Sequence, residues 1–281
     1  MRIIKPFILC LTCLPGFGQL SGSVSDAESD EPISYVNVWI KGTAIGGTTG
    51  IQGEFFINDG NVGDTLLITN LGYRDQILIA QSENQIRLVP QEIALSEVVV
   101  IPMRNENQEE IRSYDKYSRL SDFYFNGHYS LARYFPYSED YAENPFIQKI
   151  SLVTSSALKD VKFRVHLLSA NESGYPTARA LSDYHVLECS KGKSEITIDF
   201  QNENILFPKT GFFVVVDRLN LEENKFSNKL AKDILQPAIG MEKDEHAMNT
   251  WITFGGRWLT PQELEKNQGW KNIAVNVFLS D

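Results

Sequence analysis

Residues 42–73 read GTAIGGTTGIQGEFFINDGNVGDTLLITNLGY. Glycines recur at short intervals in this stretch and separate apolar runs such as Phe55-Phe56-Ile57 and Leu66-Leu67-Ile68. Glycine supplies the backbone conformations that tight turns need, and short apolar runs between turns are typical of strands. The stretch therefore predicts a small β-sandwich, and we interpret it as architectural rather than catalytic.

The flanking sequence continues the same pattern. Further strands are predicted at Gly22–Asp26, Tyr35–Ile40, Gln76–Ala80 and Gln85–Val89, with no helical pattern between them. Close strand spacing without helices favours an antiparallel sandwich of immunoglobulin-like or transthyretin-like type.

Residues 20–100 carry an ordered set of short motifs: Gly22-x-Val24-x-Asp26, Pro32-Ile33 before Asn37-Val38, Gly42-Thr43 with Gly47-Thr48-Thr49, Gly53-x-Phe55, Gly72-Tyr73 and Leu95-Ser96-Glu97-Val98-Val99-Val100. The set resembles the carboxypeptidase-like regulatory domain of Bacteroidetes envelope proteins, which also begins the TonB-dependent outer-membrane transporters. The resemblance implies a seven-stranded transthyretin-like sandwich over residues 19–101. The chain is too short for a transporter's plug and barrel, so we do not expect a transporter.

Two details of this region need separate comment. The family usually has Asp where this chain has Gly50, so we expect no side-chain hydrogen bond from that position to the loop. Leu95–Val100 is predicted to be a final strand or an extended linker, because short β-branched runs usually pair in sheets.

Residues 1–18 have the pattern of a secretory signal peptide. Arg2 and Lys5 precede an apolar run that Pro15 ends, and Gly16-Phe17-Gly18 offers small residues for cleavage. The apolar run is much shorter than the roughly 20 residues that a membrane-spanning helix needs. We therefore expect an exported protein of the periplasm, outer membrane or cell surface.

Cysteine content and charge narrow the class further. Cys10 and Cys13 lie in the predicted signal peptide, so the mature chain would keep only Cys189 and could form no internal disulfide. The chain has 36 acidic and 26 basic residues, a net charge of −10. Such a surface repels phosphate backbones and anionic lipid, which argues against nucleic-acid binding.

The sequence after residue 101 changes character twice. Residues 102–120 are polar and charged and are predicted to form a solvated linker or a short exposed helix at the domain boundary. Residues 121–281 begin with a dense group of aromatic residues, which either packs in a core or lines a sugar-binding face. The candidate ligand-binding residues in this group are Tyr129, Tyr134, Tyr137 and Tyr141.

Residues 121–281 are predicted to form a second, jelly-roll-like β-sandwich of roughly eight strands. In one strand Phe163, Val165 and Leu167 should face inward, and Lys162, Arg164 and His166 should form a solvated face. The apolar run Phe212–Val216 suits a central strand that is buried on both faces. The whole chain is therefore predicted to be all-β.

Two short helices are also predicted. Asn228–Leu235 could form two helical turns ahead of Pro237. Thr260-Pro261-Gln262-Glu263 has the pattern of a capping box with proline in the first turn.

No pattern in the sequence predicts a catalytic, cofactor or metal site. The four histidines are too far apart for a helical metal pair, and Gly127-His128-Tyr129-Ser130 lacks the small-residue elbow of a hydrolase nucleophile. Cys189 is interpreted as a small buried hydrophobic residue. The acidic groups Glu139-Asp140 and Glu242–Glu245 are interpreted as solvated loops, since no spaced calcium-binding pattern is present.

The function predicted from the sequence is a non-enzymatic envelope module. It would bind an envelope protein or glycan through loops or by strand addition at an exposed edge. One alternative is a carbohydrate-binding module that uses the four tyrosines. A second alternative is an unrecognised hydrolase built on the second sandwich.

Overall fold

The structure is a computed structural model that describes residues 19–91, 104, 106–115, 121–123, 127–229, 232–242, 248–266 and 271–281. Over these residues the fold is nearly all β, as predicted. The predicted signal peptide and Leu95–Val100 lie outside the described residues. None of the described helices is long and apolar enough to cross a membrane.

Over its described residues, 19–91, the first domain has seven strands: β1 (Leu20–Asp26), β2 (Asn37–Ile40), β3 (Gly46–Thr48), β4 (Glu54–Ile57), β5 (Thr65–Thr69), β6 (Gln76–Ile79) and β7 (Glu83–Leu88). One sheet has the order β4-β1-β7 and the other has the order β3-β2-β5-β6. The seven-stranded sandwich is confirmed. It contains one parallel pair, β1 with β7, which alternation along the sequence could not reveal.

The motif residues of the first domain meet in the structure. Asp26 accepts hydrogen bonds from two amides of the following turn at 2.7 and 3.0 Å and from the Tyr73 hydroxyl at 2.9 Å. The Thr49 hydroxyl accepts from the Val36 amide at 2.8 Å and donates to the Ile33 carbonyl at 2.7 Å. The separated motifs therefore supply side chains that tie distant turns of one sandwich together.

Gly53 and Gly50 of this domain differ in why a larger residue does not fit at their positions. Gly53 has φ +76°, and a Cβ there would lie 2.5 Å from the Val24 carbonyl oxygen, so the turn requires glycine. At Gly50 the Glu54 carboxylate occupies the space that a Cβ would need. The departure from the family pattern at Gly50 is therefore compatible with the fold.

The second domain has fifteen strands among the described residues: β8 (Gln108–Ile111), β9 (Ser121–Phe123), β10 (Ser130–Phe135), β11 (Phe146–Ser156), β12 (Val161–Ala170), β13 (Pro176–Ala180), β14 (His185–Cys189), β15 (Gly192–Asp199), β16 (Phe212–Arg218), β17 (Lys225–Phe226), β18 (Ile234–Leu235), β19 (Ala238–Met241), β20 (Thr250–Phe254), β21 (Arg257–Leu259) and β22 (Val275–Ser280). A seven-stranded sheet has the order β13-β12-β16-β10-β20-β21, and β14 also pairs with β12. A six-stranded sheet has the order β8-β22-β11-β19-β9, and β15 also pairs with β11.

The main core lies between these two sheets. Phe163, Val165 and Leu167 of β12 are fully buried in it, as predicted. Every residue of β16 is buried, which confirms the prediction of a central strand covered on both faces. Full burial of an aliphatic or aromatic side chain contributes about 1.5–3 kcal/mol, so this core is the main source of stability of the second domain.

The predicted linker over residues 102–120 is wrong in part. Strand β8 lies within it and pairs with β22. Tyr114 is buried against Val153 and Ala274, and its hydroxyl donates to Glu195 at 2.6 Å. An edge strand keeps one face exposed and so tolerates charged residues, which made this segment look like a linker.

One of the two predicted short helices is confirmed and the other is wrong. Helix α1 (Pro261–Glu265) has the full capping box: Thr260 Oγ1 accepts from the Glu263 amide at 3.2 Å, and the Glu263 carboxylate accepts from the Thr260 amide at 2.8 Å. The described part of Asn228–Leu235 is not helical, and its end forms β18, which pairs with β17. Pairing within the sheet outweighs so short a helical pattern, because nucleating a helix is costly.

Candidate functional site

A row of polar side chains crosses the outer face of the seven-stranded sheet. Arg164 of β12 lies opposite Asp217 of β16, and Asp217 lies opposite Ser130 of β10. Thr253 of β20 extends the row by accepting a hydrogen bond from the Ser130 amide at 2.7 Å. Because side chains alternate along a strand, this polar row lies directly behind the apolar core.

Arg164 joins the two domains. Its Nε donates to Asp217 Oδ2 at 2.8 Å, and Nη2 lies 2.7 Å from the same oxygen. Its Nη1 donates to the Tyr35 carbonyl at 2.8 Å and to Asn70 Oδ1 at 3.2 Å, both in the first domain. The guanidinium carbon lies 3.9 Å from the centre of the Tyr184 ring. A single side chain thus neutralises a buried carboxylate and ties the first domain to the second.

Other hydrogen bonds also cross the domain boundary. His128 Nε2 lies 3.1 Å from Asn37 Oδ1. The Leu71 amide donates to the Tyr184 hydroxyl at 2.6 Å, and Asn220 Nδ2 donates to a carbonyl of β3 at 2.6 Å. Directional bonds of this kind fix the orientation of the two domains more strictly than apolar contact alone.

The domains also touch through backbone alone. The Gly42 amide donates to the Gly255 carbonyl at 3.3 Å. Gly255 has φ +58°, and a Cβ there would lie 2.5 Å from the backbone of Gly42. Close approach at this point therefore depends on glycine at position 255, whereas a Cβ at Gly42 would meet no atom within 4 Å.

The charges of the polar row are balanced. Burial by itself would raise the pKa of Asp217, but the Arg164 guanidinium, nearby His166 and the hydrogen bond from Ser130 outweigh it, and the pKa is lowered. Burial lowers the pKa of His166 to about 4 and that of His128 to about 3. At neutral pH the row therefore holds one ion pair, and the two nearby histidines, His128 and His166, are uncharged.

The solvated face predicted for Lys162, Arg164 and His166 is wrong for the last two residues. Alternation assigns them to the outer face correctly, but Arg164 is 2% exposed and His166 is 5% exposed. The physical reason is that the first domain covers this face of the sheet.

A cleft of about 730 Å³ opens between the domains beside the polar row. This volume lies within the roughly 300–1,000 Å³ that is typical of small-molecule sites. The first domain supplies one wall, from β2 and the segment 69–75. The second domain supplies the floor and the other wall, which include Arg164, His166, Leu168, Thr177, Tyr184, Val215, Asp217 and Trp258.

Several side chains of the cleft keep unused hydrogen-bonding groups. Asn70 Nδ2 and Trp258 Nε1 donate no hydrogen bond to any described residue, and the side chains of Arg74, Asp75 and Gln91 likewise bond to none of them. Partial desolvation raises the pKa of the Asp75 carboxyl. The cleft can therefore offer both donors and acceptors to a ligand.

Residues 20–100 match the family model of the CarboxypepD_reg-like domain. The first domain is a CarboxypepD_reg-like domain. The cleft thus lies between this domain and a second sandwich that the family model does not cover. No match was found among curated proteins.

Twelve chains of solved structures match the protein. The three described below share 14% sequence identity or less with it. The cysteine protease and lectin-like domains of Cwp84, a surface layer associated protein of Clostridium difficile, match with 14% identity and a TM-score of 0.41 over 63% of this chain and 36% of that chain. A DUF3823 family protein from Parabacteroides merdae matches with 9% identity and a TM-score of 0.19 over 79% and 97%. The infectious bursal disease virus Gx strain structure matches with 10% identity and a TM-score of 0.25 over 93% and 62%. The chain thus spans just over a third of the Cwp84 structure.

The structure does not bring the four candidate tyrosines to one surface. Tyr129 is buried in the core of the second sandwich, and Tyr134 lies on the outer sheet face with its hydroxyl donating to a carbonyl at 2.9 Å. Only Tyr137 and Tyr141 are neighbours, with ring centres 6.5 Å apart, and both pack against Phe207. Ligand binding at these residues stays a prediction, and a single four-ring platform does not exist.

The other candidates for chemistry have structural partners. The Ser130 hydroxyl bonds to Asp217 and not to His128. Cys189 is buried, and burial raises the pKa of its thiol, as expected of a packed residue. In the part of the chain that the structure describes, no three His, Cys, Asp or Glu side chains group as metal ligands. His246 and residues 243–245 of the acidic group lie outside the described residues. Glu242 is buried and paired with Arg133, so its interpretation as part of a solvated loop is wrong.

Sequence reasoning missed the cleft residues. Asn70, Asp75 and Trp258 are isolated in the sequence and carry no motif. A signal for Arg164 was available, because Asp217 directly follows a fully apolar strand. A carboxylate buried at the end of such a strand needs a cation beside it. Arg164 was a candidate for this cation, because alternation assigns it to the outer face of its own strand.

Proposed function

We propose that the protein is an exported, non-enzymatic binding module of the bacterial cell envelope, and that it holds a protein or glycan partner in the cleft between its domains. The cleft is the observation that carries this proposal. Both domains line it, and it retains unpaired donors and acceptors next to an apolar floor. Largely preformed clefts at domain boundaries are common binding sites.

The chemistry of the cleft favours binding over catalysis. A hydrolase needs a nucleophile in contact with a base, and that base is oriented by a third group. Here Asp217, the carboxylate that could orient a base, is already paired with Arg164. The Ser130 hydroxyl already donates to the same carboxylate. Among the described residues of the cleft, no nucleophile, base and orienting group are arranged in this way, which disfavours the hydrolase alternative.

Export is supported by the sequence. Residues 1–18 have the order of charge, apolar run and small residues that signal peptides share. The remaining chain keeps one cysteine, which is buried, and so depends on its two cores and not on disulfides.

The experiment places a photo-crosslinking amino acid at Gln91, on the rim of the cleft, or at Thr197, which is exposed on the six-stranded sheet. Both variants are expressed in intact bacterial cells with and without residues 1–18. We expect the full chain to be exported and the chain without residues 1–18 to stay inside. We also expect an envelope component to be captured from Gln91 and not from Thr197.

Three results would contradict the proposal. Retention of the full chain in the cytoplasm would remove the envelope assignment. Equal capture from Gln91 and Thr197 would remove the cleft as the binding site. If the protein hydrolyses a captured component and the Ser130→Ala variant does not, the hydrolase alternative would be established instead.

A further inference from the structure

We propose that the ligand of the cleft is an uncharged glycan, recognised by Asn70, Asp75, Gln91 and Trp258. This inference rests on the proposed function, because it takes the cleft as the binding site. It assigns recognition to residues other than the four tyrosines predicted from the sequence.

The charge of the cleft argues against an ionic ligand. The floor contains one cation and one anion, Arg164 and Asp217, which neutralise each other at 2.7 Å. Among the described residues, the other charged side chains that line the cleft are Arg74 and Asp75, which are consecutive and opposite in sign. A charged ligand would thus be attracted by one charge of each pair and repelled by the other. An uncharged ligand can form hydrogen bonds with both.

The unused groups match a ligand that is rich in hydroxyls. A hydroxyl both donates and accepts, so it can bond to a carboxylate and to an amide at the same time. Asp75 offers acceptor oxygens, Asn70 Nδ2 and Trp258 Nε1 offer donors, and the Gln91 amide offers both. Hydrogen bonds to an ionised group such as Asp75 are stronger than neutral ones.

The apolar part of the cleft matches the flat face of a sugar ring. Leu168 and Val215 form an apolar patch beside the polar row, and the partly buried Trp258 indole packs at its edge. Aromatic rings bring a large, rigid contact area that suits stacking on a flat apolar face. A polar row next to an apolar patch fits a molecule with hydroxyls at its rim and CH groups on its face.

A peptide partner fits the cleft less well. Peptides that join a sheet need a free strand edge, which offers main-chain groups in a regular row. The cleft walls are instead made of side chains and the segment 69–75, on the covered face of a sheet whose strands β10, β12, β16 and β20 are paired on both sides. Main-chain pairing is therefore not what this site offers.

The test is calorimetric titration of the full mature chain with four uncharged hexasaccharides, of cellulose, xylan, mannan and starch type. A cationic chitosan hexamer and an anionic hexagalacturonate serve as charged comparisons. The variants are Asp75→Asn, which keeps side-chain shape, and Trp258→Phe, which keeps an aromatic ring but removes the indole N–H. The control is Tyr137→Ala outside the cleft. Far-ultraviolet circular dichroism checks that each variant is folded.

We expect at least one uncharged hexasaccharide to bind and neither charged oligomer to bind more tightly. Asp75→Asn should weaken binding by about tenfold or more, since a charge-assisted hydrogen bond is lost. Trp258→Phe should weaken it several-fold, and Tyr137→Ala should change it less than about twofold.

The inference is overturned if no uncharged hexasaccharide binds at millimolar concentration, if only a charged oligomer binds, or if both cleft variants bind like the parent protein. Crosslinking from Gln91 separates this outcome from failure of the proposed function. Capture of a protein from Gln91 without glycan binding would leave the binding module in place with a different ligand. Absence of both would remove the two proposals together.

Discussion

On the inner face of strand β12, Phe163, Val165 and Leu167 are buried among apolar side chains. On its outer face, Arg164 and His166 are almost as fully buried, but among hydrogen-bonding groups of two domains. The inner face is stabilised by apolar area, which is not directional. The outer face depends on one ion pair and a few directed hydrogen bonds. Alternation in a sequence therefore tells which face a residue occupies, but not what covers that face.

The largest expected effect comes from breaking the ion pair. Arg164→Met should lower the free energy of unfolding by about 3–5 kcal/mol, because Asp217 would stay buried without its cation. Urea unfolding at pH 7 measures the change. Arg164→Met combined with Asp217→Asn should recover a large part of the loss. If the double variant is no more stable than the single one, the uncompensated charge is not the cause.

The inner face should respond in a different way. Leu167→Ala should lower the free energy of unfolding by roughly 2–5 kcal/mol through lost burial and a residual cavity. We expect the same loss at pH 7 and at pH 5.5, since no titratable group is involved. A loss that changes with pH would mean that the two faces are not independent.

Acid should lower the contribution of the outer face to the free energy of unfolding, and leave that of the inner face unchanged. His128 and His166 have folded-state pKa values of about 3 and 4, below the usual 6.5, so the unfolded chain binds protons first. Stability should therefore fall as the pH drops below 6.5, by at most about 1.4 kcal/mol per pH unit for each histidine, and stop falling near the folded pKa values. Urea unfolding at pH 7 and pH 5.5 tests this. His166→Phe should reduce the slope and Leu167→Ala should not; an equal slope in all three proteins would contradict the argument.

The smallest expected effect concerns a feature that is readable from the sequence alone. Thr260→Ala removes the oxygen that caps α1 and should cost about 1 kcal/mol in the free energy of unfolding. Thr260→Ser keeps the hydroxyl and should cost much less. Equal losses for both variants in thermal unfolding would show that packing of the Thr260 methyl, and not capping, matters.

Local patterns predicted much of the fold. Glycine spacing and alternation identified the first sandwich, the inner face of β12, the buried run of β16 and the capped helix α1. These features depend on neighbours in the sequence, which a pattern records directly. Strand β8 shows the limit, because it is decided by pairing with the distant strand β22. The false helix near Asn228 gave way instead to the local pairing of β17 with β18.

The cleft could not be predicted for a related reason. Asn70 and Asp75 belong to one domain and Trp258 to the other, and only docking of the domains brings them together. Asn70 is positioned by Arg164, and Trp258 by a short strand that begins directly after Gly255-Gly256. Each of these residues has an ordinary neighbourhood in the sequence, so nothing in the chain distinguishes it.

The contact between Gly42 and Gly255 gives the cleft a further property. Since no side chain separates these two turns, peptide geometry sets the distance between the domains at this point. Side-chain rotamers therefore cannot change the separation at this one contact. The two turns act as a fixed spacer between the sandwiches, and a single methyl group added at Gly255 would have to push them apart.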